Sequence, residues 1–204
     1  MKLYYAPGAC SLSPHISLRE AGVAFEIVRV DTTTHLTEGG ADFKAINPKG
    51  YVPALVLETG DVVTEGAAVV QYIADRFPEA KLAPENGTLE RTRLQEQLNF
   101  ISSELHKAFS PLFSKTASSE AKEAATIQLA KRFGNLEDQL ADGRPYLLGD
   151  AFTVADAYLF TVINWSSHVG VSLAPFPRLD AYLQRIGERP AVRAAMQAEG
   201  LLAA

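Results

Sequence analysis

The apolar pattern of this chain changes period once, near residue 77, and that change constrains the fold more than any single residue does. Before it, strand and helix signals alternate. Lys2–Tyr5 has a strand pattern, Pro14–Ala21 a helical one stopped by Gly22, and Phe25–Val30 a second strand pattern, which together predict a βαβ unit. The Thr-rich stretch Asp31–Gly40 predicts a loop, and Ala41–Ile46 a short helical piece ended by Asn47-Pro48. Ala54–Leu57 and Val62-Val63 flank Glu58-Thr59-Gly60-Asp61 as two strands flank a hairpin turn, and an amphipathic helix follows from Thr64 to about Phe77. This order predicts a four-stranded mixed sheet covered by helices. Pro78–Gly87 reads as a linker, and beyond it no strand pattern is convincing. Leu94, Leu98, Ile101, Leu105, Phe109 and Leu112 recur at three- and four-residue spacing, marking one face of a long helix. Further helices are expected over Ser119–Leu140, from Thr153, over Arg178–Glu188 and after Pro190. The expected division is therefore an α/β domain over 1–77, a linker over 78–88 and an all-α domain over 89–204.

Composition narrows the function classes. With 47% hydrophobic and 21% charged residues, the chain has apolar material for a substantial core, so disorder is not expected. A net charge of -5 argues against a nucleic-acid partner, which would need clustered Lys and Arg. The apolar run near Ala157–Trp165 is too short to span a membrane, and only four residues separate Lys2 from Pro7, too few for a signal peptide. Cys10 is the only cysteine, so no intramolecular disulfide can form and a reducing cytoplasm is the expected compartment. His15, His35 and His168 do not form a metal-ligand spacing with Cys10, and no metal is expected.

Four stretches carry candidate chemistry. In Tyr4–His15 a strand runs into a Pro-Gly turn and re-emerges through Ser11 and Ser13, both good N-caps, with Pro14 in the first helical turn. The Cys10 thiol at a helix N-terminus is either activated by the unpaired amides there or simply packed in the turn. In Asn47–Leu55, Pro53 opens a strand; a cis bond before it would turn the Val52 backbone towards a ligand, a trans bond would make it an ordinary strand start. Glu65 and Gly66 sit at a helix start, suited to a zwitterionic head group or equally to plain dipole compensation. Finally, at ~100° per residue, Asn99, Ser103, His106 and Ser110 fall within about 60° of one another, with Lys107 beside them. Such a stripe either lines a cleft, with His106 as donor or general acid/base, or is a solvated surface. The run Gly149–Tyr158 is structural: Thr153 caps a helix and Asp156 reaches back to the cap amide, with Phe152 as staple.

Taken together, Tyr5-Ala6-Pro7-Gly8-Ala9-Cys10-Ser11, Asn47-Pro48-Lys49-Gly50, Val52-Pro53-Ala54-Leu55, Thr64-Glu65-Gly66, Glu104-Leu105-His106-Lys107 and Phe152–Tyr158 resemble the bacterial beta class of cytosolic glutathione S-transferases, in order and over the whole chain. The resemblance implies a thioredoxin-like N-terminal domain, an all-helical C-terminal domain, and a homodimer with each active site in the cleft between domains. It implies that Val52, ahead of a cis Pro53, pairs its backbone with the cysteinyl part of glutathione while Glu65 and Gly66 hold the γ-glutamyl end. It places Cys10 against the glutathione sulfur, able to form a mixed disulfide, and Tyr5, His106 and Lys107 at the electrophile pocket, with His106 also a glutathione contact and a catalytic residue beside Cys10. Asn99, Ser103 and Glu104 resemble residues that contact glutathione, and Tyr5 resembles the tyrosine that other classes use to hold the thiolate, secondary here. His35 stands where related sequences often carry lysine, which weakens pairing with the glycyl carboxylate.

The implied function is conjugation of glutathione, as co-substrate and not a bound cofactor, to small hydrophobic electrophiles, with thiol-transferase or peroxidase activity through Cys10. A reductive dehalogenase and a non-catalytic binding module are the alternatives. Binding of glutathione without any turnover would mark the module.

Overall fold

The computed structural model describes residues 1–203 and divides into two compact units, one built from Met1–Ala83 with the C-terminal segment from Glu188, the other from Pro84–Gly187. The first unit holds strands β1 (Lys2–Tyr5), β2 (Glu26–Arg29), β3 (Ala54–Val56) and β4 (Val62–Thr64), and helices α1 (Leu12–Glu20) and α2 (Gly66–Arg76). The sheet order is β2-β1-β3-β4, with β1 and β2 parallel and the other pairs antiparallel. This is the four-stranded mixed sheet that the alternating patterns predict, and the thioredoxin-like arrangement that the resemblance implies.

The period-2 alternation of β1 divides the core between the two faces of the sheet. Leu3 packs with Leu55 and with Leu18, Val69 and Ile73 from α1 and α2. Its neighbour Tyr4 points the other way, into Val30, Phe43, Val52 and Ala54, with its ring 5.5 Å from that of Phe43. Phe43 opens a short 3-10 turn, Phe43–Ala45, whose cap Asp42 accepts the Lys44 amide; the longer helical piece expected over 41–46 is reduced to this turn.

Two local expectations change. Ser11 does not cap α1: its hydroxyl bonds instead to the carbonyl and the amide of Ala6, and the chain enters the helix at Leu12 through successive tight turns. The segment from Glu188, expected with the helical domain, belongs to the first unit. Its helix, numbered last below, packs on α1. Arg189 makes a two-pronged ion pair with Glu20, at 2.7 and 2.9 Å, and Glu199 accepts the Gly8 amide at 2.9 Å and bonds His15 Nδ1 at 2.8 Å. His15 and Glu199 are fully buried there, so the boundary follows where these polar groups find partners rather than where the helical pattern begins.

The second unit contains α3 (Leu89–Phe100), a π-helical segment (Ile101–His106), α4 (Ser110–Phe113), α5 (Ser119–Gln139), α6 (Val154–Val169) and α7 (Pro177–Gly187); α8 (Pro190–Ala198) is the helix already placed in the first unit. Leu94, Leu98, Ile101, Leu105 and Phe109 are buried as their spacing predicts, but the helix they mark is not continuous. The capping box at Thr153 and Asp156 forms. Asp156 accepts the Thr153 amide and hydroxyl, the Leu147 amide and the Tyr182 hydroxyl, all between 2.7 and 2.9 Å. No helix among the described residues is long and apolar enough to cross a membrane.

Candidate active site

The first unit brings the sequence-predicted Val52-Pro53 pair to the lone thiol. Cys10 lies in the turn ahead of α1, and its Sγ donates to the Val52 carbonyl at 3.3 Å. The Val52-Pro53 peptide is cis, resolving the alternative left open by the sequence. A helix start favours a thiolate, whereas a hydrogen bond to a carbonyl oxygen favours the protonated thiol, so the thiol's state depends on what else meets the Val52 carbonyl. Val52 is buried, and among the described residues its amide makes no hydrogen bond to the protein. Tyr5 is buried in β1 beside His15, with ring centroids 6.2 Å apart. Burial first, then the nearby Glu199 carboxylate, raises its pKa, so the phenol keeps its proton near neutrality and has an O–H to donate.

Glu65 and Gly66 occupy the junction of β4 and α2. Glu65 has φ 68° and ψ 117°, a conformation that side-chain-bearing residues rarely adopt, and its carbonyl accepts the Ala68 and Val69 amides. Gly66 is the first helical residue, where amides have no intrahelical acceptor. The Glu65 carboxylate is exposed and paired with Lys49 Nζ at 2.6 Å. Asn47 shapes the loop that delivers Lys49, donating to the Tyr51 carbonyl and accepting the Lys49 amide. His35, at φ 59°, lies against Gly50: a Cβ on Gly50 would come within 3.0 Å of the imidazole, and the buried Nδ1 has no hydrogen-bond partner. The Asn47-Pro48-Lys49-Gly50 run contains both Asn47 and Lys49, but nothing in it points to the pairing of Lys49 with Glu65.

In the second unit the predicted stripe divides. Asn99, Ser103, Lys107 and Ser110 are exposed, and the Ser103 hydroxyl bonds back to the Asn99 carbonyl at 2.8 Å. Glu104 is paired with Arg132 of α5 at 2.5 Å. His106 instead turns inward. The i→i+5 bonding of the π segment puts more residues into the turn than an α-helix does, so His106 leaves the line of Asn99 and Ser103 and meets α6. Its Nδ1 lies 2.9 Å from the Tyr158 hydroxyl, and its ring stands edge-on to Trp165 with centroids 4.8 Å apart. Burial, aided by the charge of Lys107, lowers its pKa to about 4. The ring is therefore neutral at physiological pH, a hydrogen-bonding group and not a cationic acid. Tyr158 and Trp165, missed as site residues, come from the helix that the capping box starts. Among the described residues, no group of three or more His, Cys, Asp or Glu could hold a metal ion.

Comparison with known proteins adds the family. Residues 8–76 match the model of the glutathione S-transferase N-terminal domain and residues 100–190 that of the C-terminal domain. The chain is 45% identical over 201 residues to glutathione S-transferase GstA of Escherichia coli O157:H7, covering 98% of this chain and 100% of that protein. Among solved structures it is similar to the bacterial beta class glutathione S-transferase of Sphingomonas chungbukensis, with 50% identity, 99% and 100% coverage and a TM-score of 0.96. A sphingomonad glutathione S-transferase complexed with glutathione is also 50% identical, with 99% and 100% coverage and a TM-score of 0.95.

Proposed function

Because the chain belongs to the glutathione S-transferase family, in its bacterial beta class, we propose that it conjugates glutathione to small hydrophobic electrophiles and exchanges disulfides through Cys10. The observation that carries this reading is the Cys10 thiol lying 3.3 Å from the Val52 carbonyl, beside a cis Pro53 and an unpartnered Val52 amide. A cysteinyl backbone pairing with Val52 would bring its own sulfur to Cys10. The γ-glutamyl ammonium would meet the Glu65 carboxylate, and its carboxylate the Gly66 amide at the start of α2. His106 and Lys107 would border the electrophile. Asn99, Ser103 and Glu104 remain secondary glutathione contacts, Glu104 only if it shares its Arg132 partner. Tyr5, protonated and buried, would assist the thiolate at most as a donor.

In conjugation, the glutathione thiolate forms a C–S bond while the electrophile's leaving group departs with the electron pair of the broken bond; the thiol proton has already passed to solvent. In exchange, the Cys10 thiolate attacks the glutathionyl sulfur of a mixed disulfide and releases the other thiol, and a second glutathione frees Cys10. A homodimer in a reducing cytoplasm suits this chemistry. The test is turnover of a generic aromatic electrophile and of a glutathione mixed disulfide by the wild type and Cys10→Ala. Cys10→Ala is expected to lose exchange entirely and to conjugate more slowly while still binding glutathione. Full retention of both activities would remove Cys10 from the reaction, and wild-type binding without any turnover would mark a binding module.

A further inference from the structure

The bond between His106 Nδ1 and the Tyr158 hydroxyl joins a half-buried imidazole to a phenol that is almost wholly buried in α6. A phenol is a better hydrogen-bond donor than acceptor, and the bare nitrogen of a neutral imidazole is a strong acceptor, so O–H→Nδ1 is the favoured arrangement. Nδ1 then carries no proton and the ring's single proton resides on Nε2. The aromatic packing holds the ring in place for that bond. The Trp165 ring meets the imidazole at 72° and the Tyr158 ring meets it at 88°. Among the described residues the nearby charged groups are otherwise engaged: Lys107, on the same segment, is a like charge to an imidazolium, and the Glu104 carboxylate is held by Arg132 from α5. From α6 the groups that meet the ring are the Tyr158 hydroxyl and the Trp165 indole.

We propose that Tyr158 is a positioning residue whose hydroxyl fixes His106 as the Nε2–H tautomer, so that His106 meets the electrophile as a neutral hydrogen-bond donor. The proposal rests on the reading that His106 borders the electrophile. A neutral donor can stabilise the charge that grows on the leaving group while the C–S bond forms, with no proton changing hands. The phenolic bond also stabilises the uncharged ring, acting in the same direction as burial.

The experiment is nitrogen-15 NMR of the His106 ring at neutral pH, together with pH–rate profiles for an aromatic electrophile. In the wild type the ring is expected to show a protonated Nε2 and a bare Nδ1. Tyr158→Phe is expected to give a mixture of tautomers, to raise the pH at which the ring titrates, and to lower kcat on the order of tenfold while KM for glutathione stays the same. An Nδ1–H tautomer in the wild type overturns the proposal, as does a Tyr158→Phe protein with the wild-type tautomer and pH profile. The wild-type spectrum decides the tautomer even if the variant fails to fold. If the tautomer and its shift are as expected but His106→Gln turns over like the wild type, the role of Tyr158 stands and the contact of His106 with the electrophile falls.

Discussion

Glu65 combines a rare backbone conformation with a carboxylate that already has a cationic partner, so an incoming ammonium must compete with Lys49. Both side chains are largely exposed, and pairs of this kind are worth about 0.2–1 kcal/mol. Lys49→Met is therefore expected to tighten glutathione binding by up to about fivefold in calorimetric titration. Weaker binding would mean that Lys49 itself touches the ligand. His106 supplies a second prediction at this scale. It titrates near 4 in the folded chain, against a usual value of about 6.5 when unfolded. The unfolded chain thus binds more protons between those limits, and stability falls as pH drops from about 6.5 to about 4, by up to about 3 kcal/mol from this ring. His106→Gln should flatten the urea-derived stability curve across that window, and an unchanged slope would mean that the ring is not desolvated. The turn that holds Cys10, the helix start at Glu65 and Gly66 and the strand that Pro53 opens were legible in the sequence because they are local patterns. The partners of Glu65 and His106 were not, because Lys49 and Tyr158 reach them from 16 and 52 residues away.

Among the elements, α6 has the most explicit start signal. Its Asp156 collects four donors while fully buried, and burial pushes its carboxyl pKa up against them. Asp156→Ala leaves those donors unsatisfied and is expected to cost about 3–5 kcal/mol, whereas Thr153→Ala, which removes the cap and one of the four donors but leaves the Asp156 carboxylate with the other three, should cost about 1–2 kcal/mol. Chemical denaturation of both variants checks the ratio, and equal losses would show that Asp156 acts only through the cap. This element was legible because Thr-x-x-Asp is a local pattern. The long helix beginning at Leu89 was legible only in part: apolar spacing shows which residues are buried but not where i→i+4 bonding gives way to i→i+5. That missing break is why His106 was read on the same stripe as Asn99 and Ser103.

At the scale of the whole molecule, the change of period near residue 77 reflects the passage from an α/β part to a helical part, but no pattern in the sequence announces that the last helix returns to the first unit. That return is made by polar side chains distant along the chain: Arg189 to Glu20, and Glu199 to His15 and Gly8, the last pair 191 residues apart. Removing the chain after Ala198 takes the Glu199 carboxylate away from the Gly8 amide and from the buried His15 Nδ1, and should destabilise the first unit by about 2–4 kcal/mol. Faster amide exchange at Gly8 and a lowered Tm would report the loss; an unaltered Gly8 would show that the turn before Cys10 holds itself. The same connectivity bears on biosynthesis. As the chain leaves the ribosome, residues 1–83 emerge first yet lack α8, while the contiguous helical unit has every residue it needs as soon as Gly187 is out. The first unit is thus completed only after the helical unit has been made, when Glu199 reaches the Gly8 amide in the turn before Cys10.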